Sequence, residues 1–212
     1  MLRRVFSVVA SSLLGISLAP AGELFGDADS LTKAAIIEHD ASAPWEAWSV
    51  GVNVGAQWRV TSNTHLDYTV IPTMLTIRTP AHWVWDFAGG KLVTRARLNL
   101  LGEGIAEGPE SYYFGWSGSP SIEYWFPGER TALQFSIGGG SGWFDSQPGV
   151  DGAQGRDYTY NWFMHGALRK RIGDGVDLSV GVLFQHFSNL GATDPNPGID
   201  ALGPMIGLSW DF

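Results

Sequence analysis

Every even position from Trp48 to Val60 is apolar: Trp48, Val50, Val52, Val54, Ala56, Trp58 and Val60. The odd positions between them are Ser49, Gly51, Asn53, Gly55, Gln57 and Arg59. Successive side chains of a β-strand point to opposite faces, so this stretch is predicted to be a strand with one apolar and one polar side. Further runs at 66–77, 92–100, 112–126, 132–144, 160–171, 176–188 and 202–212 bring the expected strands to eight. The alternation shifts around Pro72, which predicts a bulge there. The run at 112–126 is the least regular, because Gly115, Gly118 and Pro120 interrupt it.

Aromatic residues and glycines are abundant, a balance that suits a membrane barrel with an aromatic belt and a crowded interior. The expected fold is all-β, an eight-stranded antiparallel transmembrane β-barrel of the outer membrane, filled by side chains. Arg95, Arg97, Gln57, Glu123, Arg59 and Asn53 would face inward and pair with one another. A soluble barrel or sandwich alternates in the same way, with the apolar face turned inward. Arg95 and Arg97 favour the membrane form, together with an export signal and the last strand. There Ile206, Leu208, Trp210 and Phe212 fall on one face and Gly207, Ser209 and Asp211 on the other. Its terminal phenylalanine resembles the signal read by the outer-membrane barrel assembly machinery.

The export signal is Met1-Leu-Arg-Arg, an apolar stretch from Val5 to Leu18, and the small residues Ala19-Pro20-Ala21. It reads as a signal peptide over 1–21, removed after Sec-type export. Residues 22–45 read as a periplasmic extension or lead-in, with a short helix capped by Ser30, and 46–212 as the barrel domain. The net charge of −8 argues against a nucleic-acid partner, which demands basic patches. The absence of cysteine excludes disulfides, cysteine nucleophiles and thiolate metal sites.

With both chain ends in the periplasm, 126–131 and 172–175 are the tight turns expected on that side, and 145–159 is a long external loop. The 79–91 connection is longer than that side usually has. Strand seven then ends outside. On its apolar face stand Val176, Leu178, Val180, Val182 and Phe184, followed by His186 and Ser188. A base and a hydroxyl two residues apart share one side of a strand, and serine becomes a useful nucleophile beside an imidazole. Asp200 has the same parity across the following loop and could orient His186.

The run His186-Phe187-Ser188-Asn189, with an acid on the next strand, resembles the lipid A 3-O-deacylase (PagL) family. The resemblance is specific over about 176–212. Asp200 occupies the position where that family usually has glutamate. The resemblance implies a carboxylic ester hydrolase of the outer membrane whose substrate is the lipid A of lipopolysaccharide. It implies His186 as general base, Ser188 as nucleophile, Asp200 as the acid, and an oxyanion hole from Asn189 and the N–H of Gly191. No cofactor or metal is implied. A non-catalytic barrel with a structural or surface-binding role is a second reading, and an esterase or phospholipase acting on a different outer-leaflet lipid a third.

The remaining motifs have simpler readings. His165 falls on the inward face as a hydrogen-bonding group, while His39, His65 and His82 lie in or near loops without a metal-site spacing. Arg169-Lys170-Arg171 reads as a solvated strand end or a headgroup contact. Trp83 and Trp85 read as an interfacial anchor, and Gly138-Gly139-Gly140 as relief of crowding.

Overall fold

The computed structural model describes residues 43–61 and 64–212; the expected signal peptide and residues 22–42 of the lead-in lie outside them. Among the described residues ten strands make one closed antiparallel sheet: β1 (Ser49–Gly55), β2 (Gln57–Thr61), β3 (Thr69–Arg78), β4 (Trp83–Phe87), β5 (Gly90–Glu107), β6 (Tyr112–Trp125), β7 (Thr131–Phe144), β8 (Tyr158–Gly173), β9 (Val176–Ser188) and β10 (Ile199–Asp211). Closure comes from β1 and β2 pairing with β10. These two segments are one stave, broken at Ala56, whose N–H reaches Pro204 O at 3.3 Å. Proline has no N–H to return the bond. Similarly, β3 and β4 both lie along β5, Arg78 opposite Arg97 and Trp83 opposite Thr94. The barrel therefore has eight staves, as the alternation predicts.

The alternation sorts the faces. Val52, Val54, Trp58, Leu98, Leu100, Phe135, Val180 and Ile206 are among the large apolar side chains left exposed on the outside. Asn53, Gln57, Arg95, Arg97, Glu123 and His165 are buried inside. This inversion of the soluble pattern suits a hydrocarbon solvent, and barrel closure leaves no unpaired stave there. The interior is filled in layers. Trp45, Val93, Trp125 and Ala132 pack at the end where Phe212 N donates to Trp48 O. Tyr68, Met74, Leu101, Tyr113, Phe144, Phe187 and Ile199 pack at the other end.

An ion network lies beside the first of these layers. Glu123 faces Arg169 at 2.8 Å and Arg95 at 3.8 Å, and accepts from Trp125 Nε1 at 3.0 Å. Arg169 also meets Asp177 at 2.6 Å, and Arg171 joins Asp177 to Asp211. Arg169 is thus a buried lumen residue, not part of a solvated strand end; its odd parity on β8 turns it inward while Lys170 faces out. Arg59, also expected inside, sits at the rim and binds Asp67 at 2.7 Å.

Three further departures have local causes. The 79–91 connection contains β4 and a tight turn at Ala88 and Gly89, both with positive φ, so its length is a hairpin and not a loop. The bulge expected at Pro72 occurs between Thr69 and Val70, opposite Ile105 and Glu107, and β3 alternates without a break through Pro72. Finally, β6 runs unbroken through Gly115, Gly118 and Pro120, with Pro120 on its outer face. The glycine run in β7 does relieve crowding: a Cβ at Gly140 would stand 1.9 Å from Trp116 O.

The loops at the end away from Phe212 are cross-braced. Asp145 Oδ1 accepts from Ser111 N at 2.8 Å and Tyr112 N at 3.0 Å, tying the β7–β8 loop to the start of β6. Burial pushes this carboxyl up, but the N–H groups of Tyr112 and Ser111 outweigh it and hold Asp145 below its ordinary value. A depressed carboxylate contributes stability that is fully present above the ordinary range and is lost as pH falls through the lowered value. The protection of the Tyr112 amide, its exchange rate set against the intrinsic rate at each pH, is therefore expected to persist through the ordinary carboxylate range at about pH 4 and to fall only below it. Exchange already fast at neutral pH would contradict this brace.

Candidate active site

Cross-strand register builds the site on the outer wall. Asp200 on β10 stands directly opposite His186 on β9, and His186 directly opposite Trp162 on β8. His186 Nδ1 and Asp200 Oδ1 are 2.6 Å apart, so the carboxylate accepts a hydrogen bond from the ring N–H. Their side chains keep 27% and 21% of their surface, respectively, so the pair faces outward without being freely solvated. The His186 ring lies 5.9 Å from that of Trp162, which in turn packs on Phe184 at 5.0 Å. Direct opposition lets the short aspartate side chain reach the imidazole.

On the far side of Asp200 the register slips. Leu202 pairs with Trp58 and Ala201 with Arg59, but Asp200 pairs with Thr61, leaving Val60 as the extra residue of a bulge. Thr61 Oγ1 donates to Asp200 Oδ2 at 2.6 Å. Both oxygens of the carboxylate are therefore engaged.

Ser188 closes β9 at the next outward position and is 8% exposed. Its hydroxyl lies 3.2 Å from both the Oδ1 and the Nδ2 of Asn196, and accepts from Leu190 N at 3.0 Å. Among the described residues no hydrogen bond joins Ser188 to His186. The chain then turns sharply: Leu190 and Gly191 have φ of 57° and 72°, and Ala192 N returns to Asn189 O at 3.1 Å. This is the signature of a type I′ turn. A leucine in the left-handed region costs about 1–2 kcal/mol, a strain held at the residue whose N–H binds the serine.

Asn189 is fully buried, and its Nδ2 donates to Thr193 O at 2.8 Å and Pro195 O at 3.3 Å. Its amide hydrogens brace the loop rather than point toward Ser188, because the strand has already ended and the turn folds back over it. Asn196, which the sequence analysis missed, is the amide beside the serine. It also accepts from Asn189 N at 3.0 Å. Position in a Pro- and Asp-rich loop gave no periodicity by which to find it.

Two other histidines make their contacts elsewhere. His165 is buried, with Nδ1 3.5 Å from Arg97 and 3.4 Å from Gln134, while His82 stacks edge-on to Trp83. His39 lies outside the described residues. Among the described residues no group of three or more His, Asp or Glu is arranged to hold a metal ion.

A closed barrel with an apolar outer wall and a His–Asp–Ser cluster at one rim defines an outer-membrane β-barrel with a candidate hydrolase site. The chain belongs to the lipid A 3-O-deacylase (PagL) family, whose model matches residues 37–209. Among solved structures, that of the outer membrane enzyme PagL is 21% identical with a TM-score of 0.48, covering 75% of this chain and 97% of that one. Neisserial surface protein A is 11% identical, TM-score 0.46, over 78% of this chain and 97% of its own. Ail, the attachment invasion locus protein of Yersinia pestis, is 14% identical, TM-score 0.45, over 79% and 99%. No curated protein sequence matches.

Proposed function

We propose that this chain is an esterase that removes the 3-position 3-hydroxyacyl chain from lipid A by a Ser–His–Asp mechanism. The observation that carries the reading is the 2.6 Å contact of His186 with Asp200 on the lipid-facing wall, next to Ser188. Rotation of the Ser188 hydroxyl from Asn196 toward His186 brings nucleophile and base together; such contacts commonly tighten only with substrate bound. His186 takes the proton as the serine oxygen attacks the ester carbonyl, and Asp200 stabilises the imidazolium. The vacated Asn196 amide and the N–H of Gly191 then receive the oxyanion, a role in which one donor contributes about 2.7–4 kcal/mol. Collapse expels the sugar oxygen, which takes the proton from His186 and leaves as a hydroxyl; water, activated by the neutral His186, then hydrolyses acyl-Ser188 to a 3-hydroxy fatty acid. Trp162, Phe184 and Leu202 offer an apolar wall for the acyl chain beside the site.

This chemistry belongs in the outer leaflet, where lipopolysaccharide resides, with 1–21 as the Sec-type export signal and the Phe212 strand as the signal for the barrel assembly machinery. One observation favours a second reading: the Ser188 hydroxyl rests on Asn196, as it would in a non-catalytic barrel that kept the scaffold. Mass spectrometry of lipid A incubated with the refolded protein decides. Loss of one 3-hydroxyacyl chain supports the esterase, and unchanged lipid A across several acylation types leaves the non-catalytic barrel.

A further inference from the structure

We propose that Thr61 is a positioning residue for the Asp200–His186 pair, brought to the outer face by the bulge at Val60. The proposal rests on the triad reading above.

By strict alternation Thr61 belongs inside. From Trp48 to Trp58 the even residues point out and the odd ones in, and Arg59 keeps that rule opposite inward-facing Ala201. The extra residue resets the count by one, so that an odd-numbered side chain emerges on the wall beside Asp200. Bulges recur next to active sites because they re-aim one side chain without disturbing the rest of the strand. Here the re-aimed group is a hydroxyl, and it meets the one oxygen of Asp200 that His186 does not use.

The carboxylate needs such a partner. Rotation about χ2 of aspartate is broad, so a single hydrogen bond to an imidazole leaves the plane of the group poorly fixed. At a partly open position, water and headgroup cations compete for both oxygens. Threonine is branched at Cβ and stiff at χ1, so its hydroxyl is a firmly placed donor. Held at Oδ2, the carboxylate presents Oδ1 to Nδ1 and fixes the plane of the ring whose other nitrogen must take the Ser188 proton. Without that hold, His186 samples orientations in which it cannot take the serine proton, and small misplacements of this kind are costly.

The test uses the full-length mature protein refolded in detergent, with Thr61→Val, Thr61→Ser, Asp200→Ala and the Thr61→Val/Asp200→Ala pair. Far-UV circular dichroism establishes that each has folded. Labelling of Ser188 by a fluorophosphonate reports the triad independently of lipid A, and kcat and KM for lipid A deacylation are read in parallel. Thr61→Val is expected to slow labelling and kcat roughly tenfold to a hundredfold with KM within about twofold. Thr61→Ser restores both, and Thr61→Val adds nothing once Asp200 is alanine, the non-additivity expected of a residue that acts through another. A Thr61→Val protein that labels at the wild-type rate overturns the positioning role alone. So does an effect of equal size in the Asp200→Ala background, or a failure of Thr61→Ser to restore the rate. A wild-type chain that the probe does not label overturns the triad reading and, with it, the role of Thr61. Wild-type labelling without deacylation removes lipid A as substrate and leaves Thr61 judged by the labelling rates.

Discussion

A Ser188→Ala protein, folded alongside the wild type, is expected to leave lipid A intact, with kcat lower by about a millionfold. The size follows from the division of labour in the site. In the proposed mechanism His186 takes the serine proton and Asp200 only stabilises the imidazolium, so without the hydroxyl the pair contributes nothing on its own. What survives is water attacking an ester held beside Gly191 and Asn196, which in comparable hydrolases leaves a residual of about 10³–10⁴ over solution. Ser188 shares a hydrogen bond with the Asn196 amide and accepts from Leu190 N in the resting site, and alanine removes those bonds as well. Circular dichroism and thermal unfolding therefore accompany the assay, so that loss of activity is not loss of the loop. A variant retaining more than a hundredth of wild-type turnover would require another nucleophile.

Glu123→Ala is expected to cost about 3–5 kcal/mol of barrel stability, the range for breaking one member of a buried ionic cluster. Glu123 is fully buried between Arg169 and Arg95, and its loss strands positive charge in the lumen. Asp177 continues to hold Arg169, which is why the cost does not approach the desolvation of a bare guanidinium. It is measured by reversible guanidinium unfolding in detergent micelles. Glu123→Gln keeps an acceptor for Trp125 Nε1 but not the charge, and separates the hydrogen bond from the ion pair. A change below about 1 kcal/mol for Glu123→Ala would mean that water in the lumen replaces the carboxylate, as for an exposed pair.

Much of this barrel is readable from period 2, because a wall with hydrocarbon outside and packed polar groups inside enforces alternation on every stave. The same rule placed His186, Ser188 and Asp200 on one surface. It fails where the count is reset. The bulge at Val60 hides Thr61, and the one at Thr69–Val70 lies two to three residues from Pro72, where the sequence pattern puts it. It is silent where a strand has no inside: Trp83-Val-Trp-Asp-Phe87 is exposed on both faces and shows no alternation to detect. Arg169 was legible in principle, since its odd parity matches Arg95 and Arg97 on their own strand, but the adjacent charges made the run look solvated. Asn196 depends on a loop folding back over seven residues from Asn189, a contact that no local pattern encodes.

The outward placement of His186 and Asp200, away from the filled lumen, has a kinetic consequence. Under the proposed function, a lipid substrate reaching this wall arrives by lateral travel within one leaflet, so its availability is a number per unit area and not a bulk molarity. Turnover at such a site scales with the mole fraction of substrate among neighbouring lipids. Diluting the vesicles leaves it unchanged, and enriching the leaflet in inert lipid slows it.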